Sequence, residues 1–203
     1  MTNGSLSKKS DIALYLGLGS NVGDREKNLR EAIARIGKLG LEISRQSSIY
    51  ETEPVGFTDQ PWFLNQVIEA KFLDGLTSEH GPLVGDPEAF AASQAEALLD
   101  RLLNIEREMG RERAVVNGPR LIDIDLLLYG DKIIAHSKHD RERPVIDGTD
   151  VFVPHPRMHM RRFVLEPLCE IAPELVHPIL RKTCRELLAE INDGSKVAIY
   201  KRM

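Results

Sequence analysis

Cysteine and aromatic residues are scarce in this chain: of 203 residues, 2 are cysteine and 1 is tryptophan, and aromatics make up 5%. Cys169 and Cys184 have no disulfide framework and no metal-ligand spacing, and they read as a buried pair of free thiols in a reducing compartment. No stretch approaches the roughly 18 apolar residues that a membrane span requires. Residues 1–10 are short, polar and basic without an apolar centre, so no secretory signal is expected, and the expected location is the cytoplasm. A basic excess is missing too. Lys and Arg total 27 against 31 Asp and Glu, a net charge of −4, which has the wrong sign for a general nucleic-acid binder. Any anion site must therefore be local. The one glycine-rich turn, residues 17–23, is neither a Gly-x-Gly-x-x-Gly fingerprint nor a Walker loop, and it reads as a structural turn. No repeat, low-complexity tract or flexible linker divides the chain. With 42% hydrophobic and 29% charged residues, an ordinary soluble composition, residues 11–203 are expected to form one domain, and residues 1–10 a disordered extension.

What is present alternates in period. Residues 12–18 are nearly all apolar, as a central strand would be. Asp24 is positioned to cap a helix through residue 37 or 38, with Leu29, Ile33 and Ile36 on one face. Residues 41–50 predict a second strand, with Ile43 and Ile49 inward, and residues 63–72 a third. Residues 73–88 and 136–150 read as surface excursions. A helix is predicted over residues 88–109, with Leu98, Leu102, Ile105 and Met109 at helical spacing, followed by a basic loop and a strand over 121–129. Helices near 163–171 and 181–191 and a short strand at 197–200 complete the chain. The order β-α-β-β-α-β predicts an α+β fold, a ferredoxin-like antiparallel sheet with two helices on one face, to which C-terminal helices and long loops are added.

The richest stretch runs from Asn117 to Gly130, where Asp123 and Asp125 interrupt an otherwise apolar strand. Strand side chains alternate faces, so both carboxylates point the same way, with roughly 6–7 Å between their Cα atoms. Two like charges on one face require a cation, either arginine or a divalent metal. Arg111, Arg113 and Arg120 lie just upstream, and guanidinium offers planar, bidentate phosphate recognition. Carboxylates and arginines together suggest a polyphosphate carried by magnesium. The Asp-x-Asp pattern is shared with nucleotidyl transferases, which stay open as an alternative.

Other candidates flank this strand. Gln60, Trp62, Phe63 and Asn65 combine amides and rings where a loop enters a strand; the rings read as core, or as a stack beside an amide that reads a heterocycle's edge. His155 lies between Pro154 and Pro156, with Arg161 and Phe163 shortly after, which makes it a candidate site residue. Glu106 and Arg107 read as helix-surface residues. The remaining histidines (His80, His136, His139, His159 and His177) carry no such context. An RNA-binding module shares the βαββαβ order, but its Lys/Arg-Gly-Phe-type strand motifs are absent.

Five blocks bear on function together: residues 15–21 (YLGLGSN), 48–56 (SIYETEPVG), 59–65 (DQPWFLN), 118–125 (GPRLIDID) and 153–155 (VPH). In this combination the chain resembles the 6-hydroxymethyl-7,8-dihydropterin pyrophosphokinase family over about residues 12–175. The resemblance implies transfer of a pyrophosphoryl group from ATP to the pterin hydroxymethyl, releasing AMP, in folate biosynthesis. It implies that Asp123 and Asp125 hold two magnesium ions, and that Arg111, Arg113 and Arg120 surround the triphosphate, with Arg111 and Arg120 catalytic. His155, Arg161 and Glu106 fall on the nucleotide side. Phe63, Asn65 and Phe163 fall in the pterin pocket, with Thr52, Pro54, Val55, Gly56 and Gln60 around it. This places Glu106 in the site, where the residues alone placed it on a helix surface. Asn117 stands where some members carry Trp, and Ala114 where a basic residue is common. ATP and the pterin are the expected partners, with no nucleic acid or membrane, and the expected state is a monomer or weak dimer.

Overall fold

The computed structural model describes residues 12–73, 87–111, 118–136 and 151–203. Arg113, Ala114 and Asn117, nearly all of both predicted excursions and the N-terminal extension lie outside these residues.

β1 (Ala13–Ser20) lies at the centre of the sheet, as its unbroken apolar run requires, paired antiparallel to β4 (Phe63–Phe72) on one side and β5 (Asp123–Tyr129) on the other. The sheet order is β5-β1-β4-β3-β8, with β3 at Ile49–Thr52 and β8 at Val197–Lys201; β2 (Leu41–Gln46) also pairs with β4. α1 (Arg25–Lys38) begins where expected, its first turn closed by Asp24 accepting from the Lys27 N–H at 3.0 Å. Leu29, Ala32 and Ile36 of α1 and Leu98, Leu102 and Ile105 of α2 (Pro87–Glu108) bury against Leu14, Leu16, Leu18, Ile124 and Leu126. Both helices therefore share one face, which is the ferredoxin-like arrangement. The opposite face carries Tyr15, Val67 and Leu127, covered by Val164 and Leu168 of α3 (Arg162–Ile171) and Cys184 of α4 (Cys184–Glu190). An RNA-binding module of this topology needs that second face open; here α3 and α4 occupy it.

The strand expected over residues 121–129 begins only at Asp123, and three further features differ from the sequence-based expectation. The strand expected over residues 41–50 breaks at Ser47-Ser48. Ser47 turns its N–H to the Val67 carbonyl (2.9 Å) and its Oγ to the Val67 N–H (3.0 Å), while the Ser48 N–H goes to the Glu170 carboxylate (3.0 Å) instead of a neighbouring strand. The last helix starts at Cys184, three residues late, because Thr183 and Glu186 close a capping box there. A two-stranded sheet of β6 (Ile134–His136) and β7 (Val151–Val153), not anticipated, leads into a cis Val153–Pro154 bond.

Candidate active site

Alternation along β5 turns Ile124 and Leu126 toward α1 and α2, and Asp123 and Asp125 toward the α3 face. On that face β1 offers Gly17 and Gly19, opposite Asp125 and Asp123 in register. At the start of α3, the side chains give way to a cavity of about 690 Å³, floored by these strands.

The two carboxylates have different neighbours. Asp123 is clamped, its Oδ1 at 2.7 Å from Arg111 Nη1 and its Oδ2 at 2.6 Å from Arg120 Nη1. Asp125 is held loosely, with Arg161 Nη1 at 3.8 Å and His155 Nε2 at 4.0 Å. Burial, and then the Asp123 charge, push the Asp125 carboxyl above its ordinary range. Arg111 is braced from below by Glu106, which is 2% exposed and also accepts the Ile124 N–H at 2.6 Å. Burial raises Glu106 against the pull of Arg111. This corrects the helix-surface reading of Glu106. It also puts Glu106 beneath the cavity lining, where it supports Arg111.

His155 is tied to β5 through its N–H, which donates to the Leu127 carbonyl (2.9 Å). Its Nδ1 accepts from the Arg157 N–H (3.2 Å), so the neutral ring keeps its proton on Nε2, toward Asp125. Burial, with Arg161 and Arg157 nearby, lowers His155 to about 4.

The far wall is aromatic and amide. Phe63 and Asn65 enter from β4, Thr52 from β3 and Phe163 from the start of α3. Asn65 Nδ2 donates to Thr52 Oγ1 at 2.6 Å, and a Cβ on Gly19 would lie only 2.8 Å from Asn65 Oδ1. Gly19 is thus required by the amide that lies over it. The Arg120 guanidinium lies 5.6 Å from the Phe63 ring centroid, and that of Arg161 lies 5.4 Å from the Phe163 ring, so each ring carries a cation on one side.

Of the residues expected in the site, Thr52, Val55, Gly56, Gln60, Phe63, Asn65, Arg111, Arg120, Asp123, Asp125, His155, Arg161 and Phe163 all line this one cavity. Pro54 is buried behind the lining. Trp62 is 37% exposed and lies outside the cavity, its carbonyl accepting from Arg25 at 2.7 Å. Gly19, Arg157 and Met160 also line the cavity and were given no role from the sequence. Gly19 reads from sequence as part of the turn after the central strand, and its place opposite Asn65 emerges only from the register of β1 with β4.

The residues suit a hard divalent cation: two carboxylates share one strand face, and among the described residues no cationic side chain lies within 3.5 Å of the Asp125 oxygens. Among the described residues no three His, Cys, Asp or Glu side chains converge on one metal position, so the protein's own ligands here are the two carboxylates.

Fold and cleft together define a class, a ferredoxin-like α+β protein with an arginine-ringed carboxylate pair at one end of its central strands. The family model described as 7,8-dihydro-6-hydroxymethylpterin-pyrophosphokinase matches residues 15–79 and 88–173, and the chain belongs to that family. It is 36% identical over 177 residues to the 2-amino-4-hydroxy-6-hydroxymethyldihydropteridine pyrophosphokinase of Aquifex aeolicus (strain VF5), covering 87% of this chain and 91% of that protein. It is also 36% identical over 167 residues to the folic acid synthesis protein fol1 of Pneumocystis carinii, covering 82% of this chain and 18% of that protein. A solved structure of a mutant Plasmodium falciparum HPPK-DHPS has the same fold, with a TM-score of 0.63 at 17% identity, over 90% of this chain and 45% of that one. The chain thus spans less than half of that solved chain and less than a fifth of the fungal protein.

Proposed function

We propose that a pyrophosphoryl group passes in this cleft from ATP to the hydroxymethyl oxygen of 6-hydroxymethyl-7,8-dihydropterin, with AMP as the leaving group. As a member of its family the chain is a pyrophosphokinase of folate synthesis. The observation that carries the assignment to this cleft is the contrast between Asp123, clamped by two arginines, and Asp125, which among the described residues is only loosely held, with a ring-and-amide wall close by.

Pyrophosphoryl transfer is mainly positioning and charge stabilisation. Arg111 and Arg120 take the polyphosphate, with Arg113 expected beside them. Asp123 and Asp125 would hold magnesium, which when bound neutralises phosphate charge and lowers the pKa of the acceptor alcohol. Neutral His155 donates its Nε2–H, and Arg161 its guanidinium, to phosphate oxygens on the nucleotide side. Phe63 and Phe163 sandwich the heterocycle while Asn65, its amide fixed by Thr52, reads the ring's edge. Glu106 acts through Arg111, whose guanidinium it holds in place. No described helix is long and apolar enough to cross a membrane, and both cysteines are free. The proposed setting is the cytoplasm, as a monomer or weak dimer.

Phosphorus NMR of the protein with magnesium, ATP and the hydroxymethyl-dihydropterin tests the reaction. AMP and pterin diphosphate are expected in equal amounts. Release of ADP, or of free pyrophosphate as a nucleotidyl transferase would give, contradicts it.

A further inference from the structure

The turn after β1 contains Asn21, a residue outside the cavity lining and only 2% exposed. A buried amide must satisfy its donors and acceptor within the protein. Asn21 Nδ2 donates to Gln60 Oε1 at 2.9 Å and to the Pro61 carbonyl at 3.0 Å. Its Oδ1 accepts the Arg120 N–H at 2.8 Å, and its own N–H donates to the Arg120 carbonyl at 3.1 Å. The turn is itself anchored to α1, because Asn28 Nδ2 donates to Ser20 Oγ and to the Val22 carbonyl. Gln60 passes the restraint on, its Nε2 donating to the Phe57 carbonyl at 2.6 Å.

These bonds join two segments that serve opposite ends of the reaction. One is the loop entering Phe63, on the heterocycle side. The other carries Arg120, whose guanidinium reaches Asp123 at 2.6 Å and lies 5.6 Å from the Phe63 ring. A plain turn residue needs to satisfy only its own turn. Asn21 instead holds both polar backbone atoms of the arginine and the polar groups of the facing loop.

We infer that Asn21 is a positioning residue that sets the spacing between the polyphosphate arginine and the heterocycle ring, and through it the alignment of acceptor alcohol and attacked phosphorus. The inference rests on the proposed function. Its chemistry gives a split that a merely structural role does not. Asn21→Asp keeps the acceptor for the Arg120 N–H but turns an oxygen toward Gln60 Oε1 and the Pro61 carbonyl, so it disturbs only the heterocycle side. Asn21→Ala releases both sides.

The test measures kcat by AMP formation, and Kd for the hydroxymethyl-pterin and for a non-hydrolysable ATP analogue with magnesium by calorimetry. Asn21→Asp should raise the pterin Kd at least about tenfold and lower kcat roughly a hundredfold, the usual scale for an ångström of misalignment. Its analogue Kd should stay within about threefold, whereas Asn21→Ala should weaken both ligands. If Asn21→Asp does not fold, Asn28→Ala, which frees the turn from α1 and lies outside the cavity lining, should raise the pterin Kd and lower kcat. An inactive wild-type protein sinks both the function and this inference. An active wild type whose variants keep kcat and both Kd values within about twofold, losing only melting temperature, overturns the inference and leaves the function standing.

Discussion

The two faces of one sheet differ in what covers them. Toward α1 and α2, Leu14, Leu16, Leu18, Ile124 and Leu126 meet Leu29, Leu102 and Ile105, and the layer is largely hydrocarbon, with Gln94 on the Tyr129 hydroxyl and Glu106 on the Ile124 N–H. Toward α3 and α4, the same strands start in the same way, with Tyr15, Val67 and Leu127 packed under Val164 and Leu168. They then run out from under their cover, and Gly17, Gly19, Asn65, Asp123 and Asp125 line open space. Strand alternation supplies both faces from one set of residues, so the dry face fixes the position of the wet one. The candidate site lies where the second layer stops.

The sharpest way to break this comparison is one truncation on each face of neighbouring elements. Asp125→Ala should lower kcat by roughly a thousandfold, about 4 kcal/mol of transition-state stabilisation, with little change in melting temperature. Leu102, fully buried on α2, should behave in the opposite way. Leu102→Ala should cost about 2–5 kcal/mol of stability, seen in urea unfolding, and leave KM for both substrates unchanged. If Asp125→Ala unfolds the protein, or Leu102→Ala mainly alters KM, the two faces are not separate in function.

A smaller effect sharpens the nucleotide side. Because burial and two arginines depress His155 to about 4, the unfolded chain, near 6.5, binds more protons between those values. This group therefore withdraws stability as pH falls from about 6.5 to about 4, and is without effect above that window. Nitrogen NMR of the ligand-free protein should show a neutral ring at pH 6, protonated on Nε2, and Arg161→Ala should move its titration upward. Titration near 6.5 in the wild type would contradict the buried, cation-flanked setting.

Most of the framework was legible in the sequence because burial leaves a periodic trace. β4 and α1 fall where their apolar spacing and the Asp24 cap predict. The carboxylate pair was legible because Asp is unusual in a strand interior. What escaped notice depends on partners distant in sequence. Ser47-Ser48 looks like ordinary alternation until Glu170 arrives from α3. Glu106 looks solvated at a helix end until the first residues of β5 present an N–H that needs an acceptor. Asn21 resembles any turn asparagine, since turns select Asn whether its amide faces water or a neighbouring loop. Arg157 resembles a surface charge until the cavity forms beside it.

A crystal structure with 6-hydroxymethyl-pterin, magnesium and a non-hydrolysable ATP analogue bears most directly on the claim that both substrates meet at the uncovered end of β1, β4 and β5. The predicted result is the heterocycle between Phe63 and Phe163, with its edge on Asn65, and the phosphates between Arg111, Arg120 and the Asp123–Asp125 pair. Either ligand bound instead in the charged groove between α1 and α2, lined by Glu31, Arg35 and Arg101, would contradict it.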